Sequence, residues 1–273
     1  MARAGRPIVV FDSGEGGLTL LKQAWALYPG EDYIYICDTE HFPYGQRPLV
    51  QVRTFFLGVL TYALTLDPKA VIIACNTATA AALDAARAVS GDVPVVGVVE
   101  PGILAAVRVT HNRRIGVLTT VATHRSGIYQ NGLRAAEARA VVWQRPCPLL
   151  VVLAENGRVT GPESRAAVAH CVQGLLAEDV DTLILGCTHF PHMQAIFAEV
   201  VGDRAHLIDP GLETAKILPH YVVGLQREGL GTVSLLTTGQ PERVLRVGRQ
   251  LWEHIVMRPG QLAWEDGEVV RRR

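Results

Sequence analysis

"VIIACNTATAAA" (71–82) decides the fold. Val71, Ile72 and Ile73 are β-branched and apolar. Cys75, Asn76 and Thr77 follow as a small polar turn, and an alanine-rich helix former completes the stretch. Strand, turn and helix therefore follow one another, with a thiol at the junction. "TLILGCTHFPHM" (182–193) repeats the arrangement in the second half of the chain.

Working outward, apolar runs at 7–12, 33–38, 93–99, 114–119 and 205–210 join 70–75 and 182–187 as expected strands. Between them, 17–28, 48–64, 77–89, 102–110, 124–135, 163–178 and 191–201 read as helices, and "QPERVLRVGRQLWEH" (240–254) looks helical as well. Strands apolar along their whole length are buried on both faces, as in parallel sheets covered by helices. The class is α/β. "IVVFDSGEGGLTLL" (8–21) and "RIGVLTTVATHRSGIY" (114–129) each run strand, polar turn, helix, as the two cysteine stretches do. The echo predicts two similar α/β lobes.

At 273 residues, 49% hydrophobic and with no formal net charge, the chain suits a globular protein with a large core. A balanced charge leaves no basic footprint for nucleic acid, and the closing "VVRRR" reads as a solvated end. No secretory signal is visible, and the apolar stretch from Ala70 to Val89 is broken by Asn76, Asp84 and Arg87, so no membrane span is expected. Five scattered cysteines do not form a disulfide framework, and a reducing cytoplasm is the expected compartment.

In open parallel sheets, ligands collect at the carboxyl ends of strands. Those ends carry Asp12-Ser13-Gly14, Asp38-Thr39, Cys75-Asn76-Thr77, Glu100-Pro101-Gly102, Thr119-Thr120 and Cys187-Thr188-His189, with no lysine or arginine among them. A cysteine just before a helix meets free N–H groups and partial positive charge, which favour the thiolate. Cys37, Cys147 and Cys171 lack that setting and read as core. Cys75 and Cys187 share it, one in each half. "FDSGEGG" (11–17) has neither the Walker lysine nor GxGxxG spacing, so a phosphate cradle does not follow. Asp12 there suits an ammonium group, a neighbouring thiol or simply a turn. Cys187, His189 and His192 could be read as zinc ligands, but no further cluster supplies a fourth; His189 fits better as a proton-transfer partner for Cys187. His41, His111, His124, His170, His206, His220 and His254 are assigned to surface or core.

"FDSGEGG" (11–17), "DTEHFPYGQR" (38–47), "ACNTATA" (74–80), "EPG" (100–102), "LLVVLAENG" (149–157) and "LGCTHFP" (185–191) occur in the order and spacing of bacterial glutamate racemases, within the aspartate/glutamate racemase superfamily, which the chain resembles from Ile8 to about Ile217. The resemblance implies interconversion of L- and D-glutamate without cofactor or metal, supplying D-glutamate for peptidoglycan. It implies a substrate held between two lobes, with Cys75 and Cys187 on opposite sides of its α-carbon. Asp12 would assist the first thiol; Glu155 and His189 would assist the second. Asp12, Ser13, Tyr44, Gly45, Asn76, Thr77, Thr188 and His189 would bind substrate. It also implies a late return of the chain to the first lobe (1–98 plus 210–273, against 99–209) and a homodimer. Pro48, Thr119 and Pro210 depart from the family's usual serine, glycine and serine, which touches loop shape and not the thiols.

The residue chemistry agrees with this. Inverting one carbon needs a base on one face and an acid on the other, and a thiolate–thiol pair exchanges those roles each turnover. Without an electron sink, preorganised N–H donors and neutral side chains must stabilise the carbanion. An aspartate racemase of the same superfamily, or a non-catalytic two-lobed solute-binding protein, are the competing readings. The latter has no need of paired thiols.

Overall fold

In the computed structural model, which describes residues 5–252 and 256–272, two sheets are flanked by helices. The strands are β1 (Ile8–Asp12), β2 (Tyr33–Cys37), β3 (Ala70–Ile73), β4 (Val95–Gly97), β5 (Arg114–Thr119), β6 (Val141–Pro146), β7 (Thr182–Gly186), β8 (His206–Ile208), β9 (Val233–Thr237), β10 (Met257–Glu265) and β11 (Glu268–Arg271). The first sheet has the order β11-β10-β9-β2-β1-β3-β4, and the second β6-β5-β7-β8. Every pairing is parallel except the closing β10–β11 hairpin.

The echo read from sequence is a repeat of topology. β2-β1-β3-β4 and β6-β5-β7-β8 have the same order, so β3 and β7, which precede the two thiols, hold equivalent places. Period-two alternation explains the burial. Ile8 and Val10 pack with Tyr33, Tyr35 and Ile72 on one face of the first sheet. Val9 and Phe11 pack with Ile36, Val71 and Ile73 on the other. In the second sheet Leu183 and Leu185 face one cluster, and Ile184 joins Ile115 and Val117 in another. Burial on both faces is what made these runs apolar throughout.

The helices are α1 (Leu18–Leu27), α2 (Leu49–Thr65), α3 (Asn76–Val89), α4 (Val99–Val109), α5 (Val121–Ser126), α6 (Ile128–Ala136), α7 (Pro148–Glu155), α8 (Gly161–Leu176), α9 (Gln194–Val201), α10 (Pro210–Ile217) and α11 (Pro241–Leu251). None is long and apolar enough to cross a membrane, among the described residues.

Several expectations need correction. The single helix at 124–135 is two, because Gly127 takes a left-handed backbone (φ +68°) that ends α5 and starts α6. The first turn of 191–201 is a 3-10 turn at Phe190–Met193. The strand expected at 205–210 stops at Ile208, where Asp209 caps α10 through the Gly211 N–H (2.9 Å). Strands β6, β9, β10 and β11 and helices α7 and α10 add to the expected elements. Cys147 and Cys171, assigned to the core, are buried but paired as a disulfide, with Cα atoms 6.2 Å apart, so one cross-link joins the start of α7 to α8. The helix expected to reach residue 254 is seen to Leu251; His254, the first four residues of the chain and Arg273 lie outside the described residues.

Candidate active site

The carboxyl ends of β1, β3, β5 and β7 border one cavity of about 300 Å³, with both Cys75 and Cys187 in its wall. The first sheet's strand ends contribute Ser13, Cys75, Asn76 and Thr77, and the second's contribute Thr120, Cys187, Thr188 and His189. Phe42, Pro43, Val151 and Val152 add an apolar rim. Of the residues that the family resemblance assigned to catalysis or binding, all but Asp12 line this space. Asp12 is fully buried and bonded to Thr188 of its wall, while the strand-end residues Gly14, Asp38, Thr39, Glu100, Pro101, Gly102 and Thr119, and His192, lie outside it.

Cys75 is the N-cap of α3. Its sulfur accepts a hydrogen bond from the Ala78 N–H (3.4 Å), and its thiol donates to Ser13 Oγ (3.7 Å). Burial pushes this thiol up to about 12, with the charge of Asp12 adding to the effect and the Ala78 N–H opposing it. Asp12 accepts the Gly14 N–H (2.9 Å) on one oxygen and the Thr188 hydroxyl (3.1 Å) on the other, so its direct hydrogen bonds reach the second thiol's loop and not Cys75. Burial raises its carboxyl to about 6, partly offset by His189.

The second thiol is held differently. Cys187 Sγ lies 3.7 Å from His189 Nδ1, and His189 Nε2 meets Glu155 at the end of α7. Burial alone would keep His189 neutral. The Cys187 and Glu155 contacts prevail and hold the imidazole well above its ordinary value, which favours its protonated form. Burial likewise opposes the charge on Glu155, but His189, a hydrogen bond with Glu15 and the charge of Arg243 keep its carboxyl low. His192 takes the opposite course: burial, then the positive His189, lower it to about 4. Among the described residues no cluster of His, Cys, Asp and Glu is placed to hold a metal ion.

The neutral groups are fixed by partners across the cleft. Asn76 Oδ1 accepts from the Tyr129 hydroxyl (2.6 Å), and Thr77 Oγ1 lies 3.0 Å from Thr120 Oγ1 and 2.9 Å from Thr123 Oγ1. Gly45 approaches so closely that a Cβ there would sit 2.7 Å from the Thr120 side chain, which explains a glycine at that point. Tyr44 turns its hydroxyl away from the cavity, to Asp38 Oδ2 (2.7 Å). Asp38 also accepts from Trp264 Nε1 and from Thr238 Oγ1 (2.8 Å each) and meets His41 Nδ1 (2.9 Å). Burial disfavours its charge, but His41, Trp264 and Tyr44 outweigh burial and keep its carboxyl low.

Sequence reading missed Arg243, Glu15, Tyr129, Thr123 and Trp264. The strand ends carry no cation, but the cavity does: Arg243 reaches its wall from α11. Nothing local marks that arginine. Glu15 offered a faint signal, a large carboxylate in a turn otherwise built of small residues.

A family profile described as Asp/Glu/hydantoin racemase matches residues 19–218. The chain is 47% identical over 254 residues to a glutamate racemase of Symbiobacterium thermophilum, covering 90% of this chain and 91% of the relative. Its fold is similar to that of the glutamate racemase isoform RacE1 of Bacillus anthracis (TM-score 0.89, 30% identity, 97% and 99% of the two chains). It is similar, too, to a Francisella tularensis glutamate racemase solved with D-glutamate (TM-score 0.84, 29% identity, 92% and 95%). Sequence, fold and the paired thiols at equivalent strand ends thus agree, and the chain belongs to the glutamate racemases of the Asp/Glu/hydantoin racemase family.

Proposed function

We propose that this protein interconverts L- and D-glutamate by proton transfer between Cys75 and Cys187. The observation that carries the reading is that both thiols line one small cavity, each at the end of an equivalent strand. One cysteine as thiolate takes the α-proton and becomes a thiol. The resulting carbanion takes a proton from the opposite cysteine, which is left as thiolate, and the α-carbon is inverted with every proton accounted for. His189, held by Glu155, serves the Cys187 side; the Ala78 N–H and Ser13 serve Cys75. Asp12, buried between the two arms, is placed to act on either through its charge.

Ser13, Asn76, Thr77 and Thr188 supply neutral donors for the substrate's carboxylates, and Tyr44 and Gly45 line the same cavity. Neutral, preorganised donors in a water-poor site stabilise charge as it develops on the substrate, which suits a reaction with no electron sink. No cofactor or metal enters this scheme. The lobes are taken as 1–98 plus 210–273 and 99–209, which follows the division of strands between the two sheets. Supply of D-glutamate for peptidoglycan, a cytoplasmic location and a homodimer complete the reading, by analogy with the family.

The test is incubation with L-glutamate in D2O without added cofactor, following optical rotation and deuterium at Cα. Decay of rotation to zero with one deuterium incorporated is expected. Unchanged, unlabelled L-glutamate beside a racemised aspartate control would overturn the choice of substrate.

A further inference from the structure

We propose that Arg243 is a positioning residue of the Cys187 arm, which ties Glu155 of the second lobe to Glu15 and helix α11 of the first. Arg243 Nε lies 2.8 Å from Glu15 Oε1, and its Nη2 donates to Glu155 Oε2 at 2.5 Å. Glu155 gives its other oxygen to His189 Nε2, and His189 Nδ1 faces the Cys187 sulfur. A continuous chain thus runs from the β1–α1 turn to the second thiol, and the guanidinium joins the two lobes along it, beside a direct contact between Glu15 and Glu155.

The charges explain why a cation belongs there. Glu15 and Glu155 are both nearly buried and adjacent, and two carboxylates in such a place resist ionising together. Burial first, then the charge of Glu155, raises Glu15 to about 7, while Arg243 works against that rise. The groups facing this pair are His189 and His192 from the second lobe, with Asp12 and Arg243 from the first. His189, a hydrogen bond with Glu15 and the charge of Arg243 all favour an ionised Glu155, and of these Arg243 alone carries a permanent charge. Ionised Glu155, together with Cys187, in turn favours a protonated His189 aimed at Cys187. Without Arg243, Glu155 competes with Glu15 for a proton and its hold on His189 weakens. The approach is tight as well: a Cβ on Gly16, next to Glu15, would come within 2.8 Å of the His189 ring.

The proposal rests on the two-thiol reading, and its test separates the two. Side-chain carboxyl titration by 13C NMR needs no turnover; Glu155 is assigned by its absence in Glu155→Gln. Arg243→Met is expected to raise the Glu155 midpoint by ~1 unit, allowing for the half-exposed arginine, and Arg243→Lys to restore most of it. In the racemase assay Arg243→Met is expected to lower kcat at least tenfold with KM changed less than about threefold, and Arg243→Lys to recover part of kcat. An unmoved Glu155 midpoint overturns the proposal even if the racemase reading stands. So does a rise in KM alone, which would make Arg243 a substrate contact. A midpoint moved by Arg243→Met, beside a wild type that does not racemise glutamate, upholds the link and sinks the substrate assignment instead.

Discussion

Thr188 donates a hydrogen bond to Asp12 across the cleft, Oγ1 to Oδ2 at 3.1 Å, so the loop of one thiol is fastened to a carboxylate buried under the other. This carboxylate is a liability to the fold. Its pKa rises from 3.8 to about 6, so the folded protein binds a proton that the unfolded chain releases, and stability falls as pH rises through that interval. At neutral pH the full penalty of a buried charge is present. Asp12→Asn removes it but leaves one of its two donors, Gly14 N–H or Thr188 O–H, without an acceptor. The variant is expected to be ~1–2 kcal/mol more stable at pH 7.5, with the gain shrinking at pH 5, and at least tenfold less active. Urea unfolding at both pH values checks the sign.

Cys75→Ser and Cys187→Ser should each lose roughly a thousandfold in racemisation. Because each variant keeps one thiol, residual α-deuterium exchange in D2O should survive on opposite enantiomers in the two proteins. Exchange of the same enantiomer by both variants would contradict opposed thiols.

Trp264 lies in the last long strand, yet its indole N–H holds Asp38, which in turn holds the hydroxyl of Tyr44, a residue of the cavity wall. Trp264→Phe deletes one donor to a buried carboxylate. A loss of ~1–2 kcal/mol in denaturant unfolding is expected, together with a rise in KM as the 42–46 segment loosens.

The Cys147–Cys171 link closes a span of 24 residues, for which the chain-entropy relation gives about 3 kcal/mol. Reductant should lower the thermal midpoint of the wild type, and Cys147→Ser should be insensitive to it. Peptide mapping under non-reducing conditions identifies the pair directly.

Much of this architecture was legible because its central strands are buried on both faces. β1, β3, β5 and β7 could be read from apolar runs, and the thiols from their place at the junctions. The edges were harder. β6 is largely half-exposed and ends in Gln144, Arg145 and Pro146, while β10 contains Pro259 and Gly260, so neither offers a strand pattern. β6 is held by β5 and β10 by β9, each more than twenty residues earlier, beside the local β10–β11 hairpin. The site divides in the same way. Cys75, Cys187, His189 and Glu155 lie in compact motifs, whereas Arg243 meets Glu155 from 88 residues away and Trp264 meets Asp38 from 226. No local spacing encodes such contacts. The Cys147–Cys171 pair was hidden because an odd total of cysteines argued against any bridge.

The matching strand orders place two thiols in equivalent positions but give them unequal company: a helix N-terminus and a serine for Cys75, an imidazole and a carboxylate for Cys187. The two enantiomers of an amino acid in water have equal free energy, so the equilibrium constant is one and kcat/KM must be the same from either side. An unequal pair of arms cannot favour one product. Whatever asymmetry they create must appear as matched differences in kcat and KM, with the enantiomer that binds more tightly turning over more slowly in the same proportion.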